Sequence, residues 1–302
     1  MKRIIKILGS AILLWAVFRV VDGRHVASTL AHLDRSFLLL ALFFQLASTL
    51  TAASRWSLVM TGLEFHERSL FYVQSYFKGA FFNQALPGSI GGDAVKLIEV
   101  SRRGYLKSDS FYGIAIDRLL GIFGLLLMNL VATLACPGIL PPWLTRLTLA
   151  LSGAGLLSLC GLALADRVPI FTRLPAASFI LGFSGRIRRL FRRDGSGGLQ
   201  LFLSVGVHLF SVLAVYALAR AVGLVFSPLL LMVAVPPALL LSIIPISLAG
   251  WGVREGAMVG IFHLIGGGNA GVLSVSILYG LLLIMASLPG LVLWLRSSDP
   301  LC

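Results

Sequence analysis

Asn83, Gln84, Ser89, Asp93 and Lys96 lie close together in the chain, interleaved with Pro87, Gly88, Gly91 and Gly92. Amides, a hydroxyl, a carboxylate and an ammonium group around a proline and three glycines suit the recognition of an anion. A helix broken at such a point exposes unpaired N–H groups at its new N-terminus, beside the positive end of the helix dipole. Glycines let a ligand approach that backbone closely, and a phosphate or carboxylate is the matching guest. A second stretch follows the same plan. Pro87-Gly88-Ser89-Ile90-Gly91-Gly92 and Pro245-Ile246-Ser247-Leu248-Ala249-Gly250 share Pro-x-Ser-aliphatic-small-Gly, and Lys96 falls at the same offset as Arg254. Arg254 can grip a phosphate through two parallel bonds. The second stretch has Ile246 and Ala249 where the first has Gly88 and Gly91, so anion approach is less open there.

Plainer readings stand beside these. Small residues also serve tight helix packing in membranes. Asp93 fits an N-cap for a helix starting at Ala94, and Arg254 with Glu255 fits a paired structural charge. Arg55, Lys78, Asp117 and Arg118 interrupt apolar runs; each could snorkel to an interface, yet ionisable groups at depth are usually paired or functional.

Motifs for enzymatic chemistry are scarce. The chain has no Gly-x-Ser-x-Gly, no phosphate-binding loop before Lys-Ser/Thr and no His-Glu-x-x-His. Cys136, Cys160 and Cys302 show no metal spacing, and His25, His32, His66, His208 and His263 are scattered. The expectation is no metal, no cofactor and no catalytic residue. A membrane-embedded lipid-modifying transferase remains the alternative from another class.

The elements that must position these residues are membrane helices. Of 302 residues 58% are hydrophobic and 12% charged, about half the charge of a soluble domain. The expected fold is all-α: a polytopic membrane protein in a single integral membrane domain, 1–302. About six full spans are expected, near 4–21, 37–60, 109–135, 144–165, 199–222 and 272–295. Two re-entrant helical hairpins, about 70–103 and 229–265, form an inverted pseudo-repeat, a pattern that marks binding sites in transporters. Between spans, 166–198 reads as an Arg-rich cytoplasmic loop. The formal net charge of +13 then has a simple cause, because this arrangement puts every basic loop on one side and both termini in the cytoplasm. Nucleic acid is not an expected partner. Anionic lipid headgroups are.

Three motifs carry a family resemblance. Asn83-Gln84-Ala85-Leu86-Pro87-Gly88-Ser89-Ile90-Gly91-Gly92-Asp93 is the first, Asp117-Arg118-Leu119-Leu120-Gly121 the second, and Gly250-Trp251-Gly252-Val253-Arg254-Glu255-Gly256 the third, with Arg55-Trp56 at the end of the second span. Together they resemble the lysylphosphatidylglycerol synthase transmembrane region, or flippase-like domain, over about 6–296. The resemblance implies a bacterial or archaeal plasma membrane protein that moves a phospholipid or polyprenyl (isoprenoid) lipid. In the two-part synthases this region is similar to the translocating part, while aminoacyl transfer belongs to a separate soluble domain. Only six residues follow Arg296, so synthase activity is not carried over. The resemblance makes Asp117, Arg118, Arg254 and Glu255 candidate substrate-binding residues, alongside Arg55, Asn83, Gln84, Ser89, Gly91, Gly92, Asp93, Lys96, Ser247 and Gly250. Expected partners are membrane lipids with a phosphate-bearing headgroup, a lipid-biosynthesis enzyme and a second copy of the chain. A non-transporting partner of such an enzyme is the other alternative function.

Overall fold

The computed structural model describes residues 33–85, 90–169, 177–192, 196–243, 247 and 249–297. The expected span 4–21 and the first break, with Ser89, lie outside them. Among the described residues the chain folds into ten α-helices and no strand: α1 (Arg35–Gly62), α2 (Ser69–Ala85), α3 (Ile90–Arg102), α4 (Lys107–Ala135), α5 (Pro142–Leu164), α6 (Ser178–Arg192), α7 (Gly197–Ala221), α8 (Pro228–Ser242), α9 (Val253–Leu264) and α10 (Asn269–Arg296). Among the described residues five helices, α1, α4, α5, α7 and α10, are long and apolar enough to cross a bilayer. The protein is therefore an all-helical, multi-pass membrane protein.

Local chemistry sets the boundaries. α1 begins behind Asp34, whose Oδ1 accepts hydrogen bonds from the Ser36 N–H at 2.8 Å and the Phe37 N–H at 3.5 Å, an N-cap. α8 begins with Pro228 behind Ser227, whose hydroxyl oxygen accepts from the Leu230 N–H. Proline suits that first position because its missing N–H would have no partner there.

Three expectations are corrected. α3 starts at Ile90, four residues before Ala94, so Asp93 sits inside the first turn rather than capping it. α9 starts at Val253, three residues before the helix of about 256–265 that the sequence suggests, because Gly252, with φ 84°, takes the cap position. The Arg-rich connection is not simply a loop, since α6 occupies much of it. Phe183 and Leu190 of α6 pack on Val59, Ile116 and Leu120 of α1 and α4, so burial of this apolar stripe holds the segment helical.

The packing defines two ends. At one, the segment before α2 meets the segment after α3: Phe65 and Tyr105 pack with centroids 4.7 Å apart, and the His66 N–H donates to the Tyr105 hydroxyl at 2.9 Å. Arg189 pairs with Glu64 at 3.5 Å, and Arg186 with Asp109, so α6 lies at this end too. At the other end, the Asp34 N–H bonds to the Ala221 carbonyl at 3.0 Å. There the segment before α8 meets the end of α9, through Phe226 and Phe262 at 5.1 Å. The two pairs of short helices thus open at opposite ends of the bundle.

Small residues permit the close approaches. α1 and α7 pack closely and both carry buried small residues, Ala41, Ala52 and Ala53 on α1 and Ala214, Ala217 and Ala221 on α7. The Ser48 hydroxyl donates to the Val207 carbonyl across this seam at 2.9 Å. Such small-residue faces drive association where lipid removes the hydrophobic incentive. α2 and α3 touch backbone to backbone, because a Cβ on Gly92 would collide with the Gly79 carbonyl. Gly92→Val is expected to force α2 and α3 apart and cost about 1–3 kcal/mol or more. Gly185→Ala, whose Cβ meets open space in mid-α6, should leave stability unchanged or raise it by up to about 1 kcal/mol. Thermal unfolding of the two variants in detergent checks the contrast.

Candidate functional site

Arg55 on α1 and Asp117 on α4 form a deeply buried ion pair, with Arg55 Nε 2.8 Å from Asp117 Oδ1 and both side chains under 5% exposed. Arg55 Nη1 also donates to the Ser204 hydroxyl of α7 at 3.3 Å. Gly121 makes room: a Cβ there would lie 3.2 Å from Arg55 Nη2. The Gly121 carbonyl also meets His208 Nε2 at 2.9 Å. Arg55 is therefore a buried junction of three helices rather than a snorkelling interfacial residue.

Asp93, in the first turn of α3, serves two cations. Arg118 Nε lies 2.8 Å from Asp93 Oδ2, and Lys96 Nζ lies 3.1 Å from Asp93 Oδ1. Lys96 is buried, and its ammonium sits 4.9 Å from the Trp56 ring centroid and 5.0 Å from that of Tyr76. Aromatic faces favour a cation there. Asn83 Oδ1 accepts the Gly92 N–H at 2.8 Å, so α2 supplies a partner for a helix-end donor that would otherwise have none. Further out, Lys78 and Glu99 pair at 2.6 Å, which replaces the interfacial reading of Lys78 with a bridge between α2 and α3.

These groups surround a cavity of about 290 Å³, lined by Asn83, Gln84, Lys96, Arg55, Asp117 and Arg118 among others. α1 adds Gln45 and Ser48, α7 adds His208, and α10 adds Leu283, Ala286 and Ser287. The Gln45 side chain is 5% exposed, and its Oε1 has no hydrogen-bond partner. Around the cavity stand the cations Arg55, Lys96 and Arg118 and the carboxylates Asp93 and Asp117, a local surplus of one positive charge.

The second stretch makes a separate cluster. Glu255 Oε2 accepts the Gly252 N–H at 2.6 Å, while its Oε1 accepts from Arg254 Nε at 3.0 Å and from the Ser276 hydroxyl of α10 at 3.3 Å. Arg254 lies 4.9 Å from the Trp251 ring centroid and is 3% exposed. It lies against Gly280, where any side chain would meet its guanidinium. Ser247 is buried with its hydroxyl unpartnered, and Gly250 has φ 80°. None of these four residues lines the cavity. The matched offset of Lys96 and Arg254 is also not a matched helix position. Lys96 is seventh in α3 and Arg254 second in α9, because residues 249–252 spend the difference on a longer turn.

The structure thus gathers Arg55, Asn83, Gln84, Lys96, Asp117 and Arg118 on one cavity, with Gly92 and Asp93 directly behind and Gly91 in the same helical turn. Sequence reasoning missed Gln45, Ser204, His208 and the aromatic pair Trp56 and Tyr76. Gln45 and His208 did carry a signal, being isolated polar residues in otherwise apolar spans. Among the described residues no group of three or more His, Cys, Asp or Glu side chains is placed to hold a metal ion.

Fold and site together define a polytopic membrane protein with paired charges in its interior. A model of the lysylphosphatidylglycerol synthase TM region matches residues 3–290, and the chain belongs to that family, with a membrane-lipid-related role. A comparison with curated proteins finds no match.

Removing one member of a buried ion pair leaves the other uncompensated, a loss of about 3–5 kcal/mol. Asp117→Asn or Arg55→Met alone is expected to lower unfolding stability by that order. The double substitution Arg55→Met/Asp117→Leu should recover much of it, as checked by unfolding midpoints in detergent.

Proposed function

We propose that the protein moves a phosphate-bearing lipid across the plasma membrane, its headgroup passing through the cavity beside Asp93 and its acyl chains staying in the bilayer. One observation carries this reading. Asp93 is shared by Lys96 and Arg118, which leaves the cavity wall one positive charge in surplus. An incoming phosphate replaces the shared carboxylate as partner for Arg118, the more open of the two cations at 37% exposed, and forms bidentate bonds of the kind arginine favours. Asn83, Gln84 and the unpartnered Gln45 Oε1 supply neutral polar contacts for the rest of the headgroup. Arg254 and Glu255, engaged with each other, fix α9 on α10 and do not hold the phosphate in this state.

The hairpins belong to the same proposal. Helices of 17, 13, 15 and 12 residues reach about 25, 20, 22 and 18 Å, short of a hydrocarbon core of about 30 Å. α2 with α3, and α8 with α9, therefore enter from opposite faces and return. The end holding α6 carries the basic segments and faces the cytoplasm by the distribution of Lys and Arg. Single cysteines at 66 and 105, in a chain with its native cysteines replaced, should label from the same side of sealed vesicles. Labelling from opposite sides would remove the re-entrant reading.

Transport is tested with purified protein in phosphatidylcholine vesicles holding fluorescent phosphatidylglycerol or a labelled polyprenyl phosphate, reading leaflet exposure with an impermeant quencher. Accelerated flip-flop is expected, reduced about ten-fold or more in Arg118→Gln, equivalent to about 1.4 kcal/mol. Flip-flop equal to protein-free vesicles for every lipid, or a changed lipid mass marking a transferase, would overturn the proposal.

A further inference from the structure

A second cavity lies away from the charged site. It encloses about 420 Å³ between α4, α5, α6 and α7, within the ~300–1,000 Å³ typical of ligand sites. Its walls are hydrocarbon: Leu119 and Phe123 of α4, Leu159 and Leu162 of α5, Ile187 of α6 and Leu201 of α7. At one end the lining changes to Arg167 and Arg188. Arg188 pairs with Asp166. Arg167, just past α5, is exposed and has no acidic partner among the described residues. Leu164 and Phe191, both at least 40% exposed, stand on the rim. An apolar slot beside three membrane helices cannot hold ordered water, because a bound water needs two or more polar partners. Hydrocarbon is the occupant that matches these walls, and the charge at the end selects what that hydrocarbon is attached to.

We infer that this groove is a binding site for one anionic phospholipid, with an acyl chain between α4, α5, α6 and α7 and its phosphate at Arg167 and Arg188. Basic residues at the end of an apolar pocket between transmembrane helices are the recognised arrangement for acidic headgroups. Among the described residues Asp166 pairs with Arg188 and leaves Arg167 without a carboxylate, so a phosphate supplies the second anion as it binds. The occupant also packs α6 onto the bundle: Ile187 and Phe191 line the groove beside Phe183 and Leu190, which bury against α1 and α4. The site is separate from the cavity of Arg55, Asp117 and Arg118 and does not rest on the transport reading.

Native mass spectrometry of the purified protein titrated with phosphatidylglycerol and, separately, phosphatidylcholine tests this. Wild type is expected to retain one more phosphatidylglycerol than Arg167→Gln/Arg188→Gln, with affinity at the lost site falling about ten-fold. Ala163→Trp, which fills the groove and leaves both arginines, should lose the same lipid and serves if the first variant folds poorly. The comparison is repeated in an Arg118→Gln background. An identical loss there assigns the lipid to the groove rather than to the central cavity. Inorganic phosphate alone should not displace it, since the chain is part of the recognition. Equal retention in wild type and both groove variants, retention of phosphatidylcholine as strong as phosphatidylglycerol (a boundary lipid only), displacement by free phosphate, or no loss in the Arg118→Gln background would each overturn the inference.

Discussion

The pairing of charge inside a low-dielectric bundle is the constraint on which the rest of this structure depends. An isolated ion taken out of water costs several kcal/mol even after relaxation. Each deeply buried cation of the interior therefore has a carboxylate within reach: Arg55 with Asp117, Lys96 with Asp93, Arg254 with Glu255. These pairings fix helix positions. Arg55 draws α1, α4 and α7 to one point, Asp93 draws α3 to α4, and Glu255 holds the start of α9 against α10. Glycines sit where the charges need space. Gly121 and Gly280 are the gaps into which the Arg55 and Arg254 guanidinium groups fit.

The backbone contact of α2 and α3 sets where the charges of α3 stand. Gly79 and Gly92 bring those helices together, and Asn83 then reaches the Gly92 N–H. That bond serves the N-terminal turn of α3 from a neighbouring helix, so Asp93 is free of any capping duty and available to two cations. Lys96, one turn further along α3, is turned inward by the same geometry and stands beside Trp56 and Tyr76. Close glycine packing and the proposed anion chemistry are thus not rival explanations of the first stretch, since the packing sets where the charges stand.

Much of the fold was legible because apolar runs of span length can do little else. The five long helices lie within a few residues of their expected positions. Boundaries were misjudged where a contact remote in sequence decides them, as with Asn83 serving α3, or where one glycine adopts a positive φ, as Gly252 does before α9. α6 was missed as a helix because its arginines dominate the composition, while its apolar stripe has meaning only against Ile116 and Leu120. For the site, residue types pointed to Arg55, Asp93, Lys96, Asp117 and Arg118, but not to who pairs with whom. The six-residue repeat suggested one joint site for Lys96 and Arg254. Three-dimensional phase separates them, since equal spacing in sequence is not equal position on a helix when the turns differ in length.

The difference between the two kinds of pairing bears on which charges can move. Arg55 and Asp117 match one to one, and separating them strands both in the interior. Asp93 is held by two partners, so when one cation turns to another anion the carboxylate keeps its second partner and remains compensated. A phosphate entering beside Arg118 exchanges one anionic partner for another and leaves no buried charge alone at either stage. The penalty that holds the Arg55 pair shut is thereby avoided at Asp93. On the proposed reading, the shared carboxylate of this cluster, rather than its most deeply buried pair, is where a charged headgroup is exchanged.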